Sequence, residues 1–141
     1  LNELHYVRPL PEDDGSAVPD AFKKINLSLT SFFDLSLNIE GNMLTLTGKD
    51  GEIWYRAERG CWSKISRKVH CSPFYTEKDS MDTPVIGAWG VKNGVLTIRV
   101  YEIEFLEEDT LTLTEAEDGI HVSFANTTIP SNPRDYVKKV I

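Results

Sequence analysis

A cluster of carboxylates late in the 141-residue sequence is the first group of side chains that could do chemistry. Its members are Glu102, Glu104, Glu107, Glu108 and Asp109. Two carboxyl groups about 5 to 9 Å apart in a cleft can act as acid and base in glycoside hydrolysis, and such groups can also bind a cation. Here they surround a break between two alternating segments, where a run of charge is typical of a solvated turn. We therefore predict a solvated face and no catalytic pair.

Cys61, His70 and Cys71 are the remaining candidates for a metal ligand or a nucleophile. Zinc sites need a complete tetrahedral set with close pairs such as Cys-x-x-Cys, and the sequence offers neither that pair nor an obvious further ligand. A cysteine nucleophile needs a histidine and an orienting group, whereas His70 lies beside Cys71 only in sequence. We therefore predict no metal, no cofactor and no catalytic residue. The two cysteines are either buried free thiols or a disulfide across the segment between them.

Aromatic side chains form the third candidate group. They are Trp54, Trp62, Trp89, Tyr101 and Phe105, accompanied by Tyr55. Within a small barrel such side chains usually fill the core, but they could instead line a cavity for an apolar ligand or a sugar, or contribute to an interface. We favour the core, and an exposed Trp62 would favour the other interpretations.

The formal net charge of −7 argues against nucleic acid or an anionic membrane as a partner, because concentrated positive charge is needed to bind phosphate groups. The basic cluster Lys64, Arg67, Lys68 and His70 is either a solvated loop or a contact for an acidic neighbouring domain. No apolar run approaches the roughly 18 residues of a membrane-spanning helix, so we expect a soluble protein and predict no compartment. The sequence opens on Leu1 instead of methionine, from which we expect a processed product or a piece of a longer protein.

Alternating apolar and polar residues between positions 85 and 125 predict the elements that must position these side chains. The alternation breaks at Asn93-Gly94, at residues 107–109 and at Asp118-Gly119. Because Asn-Gly and Asp-Gly favour tight hairpin turns, we predict four successive antiparallel strands. Within residues 95–105 the apolar residues change sides, which predicts a β-bulge.

A similar alternation precedes this region and predicts further strands. It starts at Ile25, is interrupted at Thr30-Ser31, turns at residues 40–42 and 48–51, and ends with a strand over residues 52–58. The next connection, residues 63–84, is unusually long, and we predict that it hides one more strand within residues 64–71.

About eight short strands in sequential order predict an all-β protein, either an antiparallel barrel or a strongly curled sandwich, because closure removes exposed strand edges. Of the two we assign a single antiparallel up-and-down β-barrel. We assign residues 1–21 to a proline-rich lead-in from an upstream domain, residues 22–129 to the barrel and residues 130–141 to a C-terminal tail. A chain of this length can bury roughly 68 to 70% of its unfolded surface, which is enough for one real core.

Several landmarks follow one another in a distinctive order. They are residues 35–39 and 43–47 for a meander, Arg59-Gly60-Cys61-Trp62 for a first Trp step, Gly87-Ala88-Trp89 for a second, residues 96–105 for a long strand, and residues 111–124 with Asn126 for a closing pair. In this order they resemble the C-terminal, lipocalin-like barrel domain of serine hydrolases of the β-lactamase and penicillin-binding-protein group. The resemblance covers about residues 22–126, and its discriminating features are the two Trp steps and their spacing.

The resemblance implies a domain that carries no catalytic residue of its own. Penicillin-recognising hydrolases use a Ser-x-x-Lys nucleophile motif, a Tyr-x-Asn element and a Lys-Thr-Gly strand, and the sequence contains none of these. The implied function is a non-catalytic accessory domain that packs on an upstream catalytic domain or on a second subunit. The alternative is a free-standing, lipocalin-like binder of a small hydrophobic ligand, in which the aromatic residues line the interior.

Overall fold

The computed structural model describes residues 9–30, 33–48, 51–69, 81–102, 107–126 and 134–138. These residues form two antiparallel sheets, which confirms the predicted all-β class. Their single helical element is a 3₁₀ turn at Asp20–Phe22. No helix within these ranges is long and apolar enough to cross a membrane.

The first sheet contains four strands in sequential order. They are β1 (Lys24–Thr30), β2 (Phe33–Glu40), β3 (Met43–Thr47) and β4 (Ile53–Glu58). In β2, Leu35, Leu37 and Ile39 are buried and the residues between them are exposed, as alternation predicts for a half-buried strand. The β1–β2 pairing shifts register between Ser28 and Thr30, beside the predicted interruption.

The second sheet contains six strands, also in sequential order. They are β5 (Ser63–Val69), β6 (Met81–Lys92), β7 (Val95–Glu102), β8 (Glu107–Ala116), β9 (Gly119–Asn126) and β10 (Arg134–Lys138). The four predicted strands are confirmed as β6 to β9, and the strand predicted within the long connection is confirmed as β5. Asn93 and Gly94 connect β6 to β7 with φ of 52° and 78°, as a tight hairpin turn requires. β10 pairs with β9 and therefore adds a strand within the segment assigned to the tail.

The predicted bulge is absent from the described part of its strand. As far as Glu102, β7 pairs with both neighbours without a register shift, yet the adjacent residues Val100 and Tyr101 are only 1% and 4% exposed. Neighbouring strand residues point to opposite faces, so both faces of the sheet are covered here. The bulge prediction is wrong as far as Glu102, where burial of both faces accounts for adjacent apolar residues without a slip in register. Ile103 and Phe105, which carry the rest of the change of sides, lie outside the described residues.

The apolar faces of the two sheets share one core. Leu37 from the first sheet and Trp89 and Leu113 from the second are fully buried in it. β4 leads into β5 and packs beside β6, where Gly60 N donates to Trp89 O at 2.9 Å. Removal of this apolar surface from water is the main stabilising contribution to the fold.

Residues 9–19 of the predicted lead-in run without regular structure and are attached to the second sheet. Asp14 N donates to Val91 O at 2.9 Å, and Pro11 is buried. The chain then enters the 3₁₀ turn, whose Phe22 is fully buried in the core. The outer face of the second sheet, opposite the core, is thus partly covered by this segment.

We expect Leu44→Ala to lower the free energy of unfolding by about 2 to 5 kcal/mol, because the fully buried Leu44 side chain would leave a cavity. Ile53→Ala is the matched control. Ile53 is 46% exposed, so its truncation should cost less than about 1 kcal/mol. Urea denaturation followed by tryptophan fluorescence measures both values, and equal losses would contradict the assigned core.

Candidate functional site

Trp89 is a core residue that also ties the two sheets together. Its side chain is fully buried. Its indole Nε1–H donates to Ala57 O at 2.9 Å and to Asn42 O at 3.2 Å, both of which belong to the first sheet and its turns. A buried indole N–H needs such a partner, so Trp89 contributes both packing and a specific polar link.

Tyr55 belongs to the same buried core cluster as Trp89, whereas Tyr101 does not. Tyr101 lies on the outer face, because its partner on β6 is Ile86, three residues from Trp89 and therefore on the opposite side. Trp54 is half-buried and meets Tyr55 edge-on, with ring centroids 5.9 Å apart, and Trp62 is also half-buried. Phe105 lies outside the described residues. Trp89 and Tyr101 therefore cannot line one cavity together.

The core contains a polar pair that the sequence did not lead us to expect. The Tyr55 hydroxyl on β4 donates a hydrogen bond to Asp109 Oδ2 on β8, and the two residues are 2% and 9% exposed. The bond spans the two sheets. Our prediction of a solvated carboxylate run is wrong for Asp109 and Glu108, because β8 begins at Glu107 and places both inside a strand. The sequence did contain a signal of this burial. Asp109 alternates in step with Leu111 and Leu113, so it lies on the same, buried face of the strand.

Glu108 is buried on the outer face, opposite Asp109. It is 4% exposed and accepts hydrogen bonds from Arg99, with Arg99 Nε 2.7 Å from Glu108 Oε1. Arg99 Nη1 also donates to Pro9 O at 3.0 Å. This ion pair therefore links β7 and β8 to the lead-in.

The lead-in carries a compact acidic turn, which we define as residues 12–16. Gly15 N donates to Asp13 Oδ1 at 2.9 Å, and Ser16 N donates to Asp14 Oδ1 at 3.0 Å. Each aspartate thus bonds the backbone two residues ahead, as aspartates do in tight turns. Gly15 has φ of +74°, a conformation that favours glycine.

The acidic turn rests in a cradle formed by Arg59, Trp89 and residues 90–93. Arg59 Nε and Nη2 donate to the two oxygens of Asp13 at 3.0 and 2.8 Å, and Nη2 donates to Ser16 O at 2.6 Å. The guanidinium carbon lies 5.6 Å from the centroid of the Trp89 ring. Asn93 N donates to Asp14 Oδ2 at 3.0 Å.

These contacts set the charge state of the turn. The hydrogen bonds from Arg59 hold the pKa of Asp13 below its usual value, and the same pairing raises the pKa of Arg59. Hydrogen bonds from Ser16, and then from the Asn93 amide, lower the pKa of Asp14 to about 2. Both aspartates are therefore ionised at neutral pH.

Cys61 is the one of the three candidates Cys61, His70 and Cys71 that the structure describes. Cys61 is a free thiol whose Sγ donates to Glu58 Oε2 at 3.2 Å, and this bond, with burial, raises its pKa and disfavours the reactive thiolate. His70 and Cys71 lie outside the described residues. Within those residues no group of three or more His, Cys, Asp or Glu side chains could hold a metal ion.

Two surface features involve β5 and the turn between β8 and β9. Lys64 of the basic cluster is exposed on β5, while the side chains of Arg67 and Lys68 lie beyond what the structure describes. A depression of about 230 Å³ is lined by Ala21 and residues 115–120. It is smaller than the roughly 300 to 1,000 Å³ of typical small-molecule sites.

The chain matches no protein-family model, no curated protein and no solved structure.

We expect Tyr55→Phe to lower the free energy of unfolding by about 1 to 3 kcal/mol, because it removes a donor from a buried carboxylate. Asp109→Leu should also destabilise the protein by leaving the buried hydroxyl without this acceptor. The double variant should cost less than the sum of the two single variants, since it removes both polar partners. Chemical denaturation of the four proteins measures this coupling, and additive losses would show that the pair does not act as a unit.

We expect protonation of Asp14 to weaken docking of the acidic turn. Its pKa lies below the ordinary value of 3.8, so the ionised form stabilises the docked turn above about pH 4 and that contribution is lost as the pH falls through about 2. Carboxyl chemical shifts recorded against pH should give the lowered pKa. Ser16→Ala should raise it towards 3.8, whereas Ser63→Ala, which is remote from this carboxyl, should not. An ordinary Asp14 pKa in the unaltered protein would contradict the geometry.

Proposed function

We propose that the two sheets form one lipocalin-like barrel that serves as a non-catalytic accessory domain of a serine β-lactamase-like hydrolase. In this proposal the domain packs on the catalytic domain or on a second subunit. The observation that carries it is the filled interior, because a solid core leaves the outer surface as the functional part of the domain.

The interior is filled by side chains from both sheets. Leu44, Leu46 and Ala57 from the first sheet and Leu96 and Ile98 from the second are at most 1% exposed. Core packing of this kind suits a scaffold that presents its surface to a neighbour, and it supports the accessory role over a ligand carrier.

The order and contacts of the strands support a single barrel. Both sheets follow the sequence without a crossover, so neighbouring strands run up and down in turn within β1 to β4 and within β5 to β10. At the step from β4 to β5 the sheets meet through Arg59, which forms a bridge with Trp89, and through the Gly60 amide. The two tryptophan-containing segments on which the resemblance rests, residues 59–62 and 87–89, therefore contact each other here.

The docked lead-in supports packing on a preceding domain. Asp13 and Asp14 attach this segment to Arg59 just after β4, to β6 and to the β6–β7 turn. A lead-in that is held against the sheet limits the orientations of a preceding domain, whereas a flexible linker would allow many more. The assignment of residues 1–21 to a lead-in from an upstream domain stays a prediction.

The coding sequence upstream of Leu1 tests the proposal. We expect it to encode a Ser-x-x-Lys motif and a Tyr-x-Asn motif, and the full-length product should react covalently with a fluorophosphonate probe at that serine. The 141-residue chain alone should remain unlabelled. A reading frame that begins at or just before Leu1, or labelling of the chain alone, would contradict the accessory role.

Titration with a fluorescent apolar probe separates this role from that of a lipocalin-like binder. A filled interior should give no saturable binding by the native chain. Saturable one-to-one binding that is lost when core residues are enlarged, for example in Ala57→Leu, would favour the binder instead. Ser36→Leu, an exposed change of similar apolarity on β2, is the control and should leave any interior binding unchanged.

A further inference from the structure

We propose that the cradle is a recognition site for an aspartate-containing acidic turn, and that the chain's own residues 12–16 are its intramolecular ligand. The inference does not depend on the accessory-domain proposal. It rests on three features of the cradle: its charge, its backbone hydrogen-bonding groups and its shape.

The charge of the cradle matches that of the turn. Arg59 donates two parallel hydrogen bonds to the Asp13 carboxylate. This geometry suits the planar guanidinium and gives specificity for a carboxylate. The side chains of Arg59 and Asp13 are 15% and 22% exposed, so the pair is largely withdrawn from water. Lys92 Nζ lies 3.7 Å from Glu12 Oε1 and adds a second, more exposed attraction. Two cations thus face this turn in a chain of net charge −7.

The hairpin turn supplies backbone groups that hold Asp14 from two sides. Asn93 N donates to the Asp14 carboxylate, and Asp14 N donates to Val91 O. Asn93 lies outside the β6–β7 ladder, which ends at the pair Lys92 and Val95, so its amide is available for this contact. A side-chain acceptor and a backbone donor on one residue are therefore recognised together, which is more specific than attraction of charge alone.

The shape of the cradle depends on Gly90. A Cβ atom at this position would lie 2.6 Å from Glu12 O and 2.9 Å from Asp13 Cβ. Gly90 pairs with Thr97 in the regular ladder, so glycine is not needed there for an unusual backbone conformation. Its absent side chain instead allows the backbone of the acidic turn to approach the strand.

Amide hydrogen exchange on the full chain tests whether these contacts hold the turn. Asp13→Asn removes the charge pair and Gly90→Ala blocks the close approach, so each should accelerate exchange of the Asp14 amide by at least about tenfold. Asp20→Asn is the matched control, because Asp20 forms an exposed ion pair with Lys23 away from the cradle. It should leave this exchange rate unchanged.

The Trp89 indole N–H signal reports whether each variant keeps its core, because it donates to the Ala57 carbonyl across the two sheets. With that signal retained, unchanged exchange in both Asp13→Asn and Gly90→Ala would overturn the proposal. If the Gly90→Ala variant does not keep its core, the Asp13→Asn result alone tests the proposal, because the Asp13 side chain lies outside the core.

Addition of a separate peptide tests recognition directly. A synthetic peptide with the sequence of residues 9–18, added to the full-length Asp13→Asn chain at millimolar concentration, should shift the Asn93 and Gly60 amide signals, because it competes with a tethered segment of about millimolar effective concentration. The same peptide with asparagine at both aspartate positions should cause no shift. Equal shifts with both peptides, or none with either, would show that the cradle does not recognise the carboxylates.

Discussion

The hydrogen bonds from the buried Trp89 indole to the first sheet set how the two sheets are arranged. Trp89 belongs to the second sheet, yet its indole N–H donates to Ala57 O and Asn42 O of the first. Because a buried indole loses its contact with water, these partners fix how the sheets meet. The same arrangement positions Arg59. Its guanidinium is held near the Trp89 ring, where it pairs with Asp13.

Burial on both faces distinguishes β6 to β8 from an ordinary half-solvated sheet. Val100 and Asp109 face the core, whereas Tyr101 and Glu108, one position away, are buried on the outer face. A carboxylate is stable in each place because it has a specific donor, Tyr55 in the core and Arg99 outside. Both pairs link separate segments of the chain.

Local sequence signals predicted the strands well where one face was polar. The alternation in β2 and the Asn93-Gly94 turn were both interpreted correctly, because period-two patterns and turn residues act over a few neighbouring positions. The same reasoning failed where the polar residues had distant partners. Asp109 and Glu108 look solvated in sequence, and their donors Tyr55 and Arg99 lie 54 and 9 residues away.

Spacing along the chain was enough to predict the all-β class, the order of most strands and the residues of the apolar face, because each of these depends on local pattern. Three contacts became visible only in the folded molecule: Trp89 joins the sheets, Tyr55 meets Asp109, and the acidic turn lies against Arg59 and Gly90. Those contacts join residues far apart in sequence, and their existence depends on how the two sheets approach each other. No local pattern of hydrophobicity or charge encodes that approach.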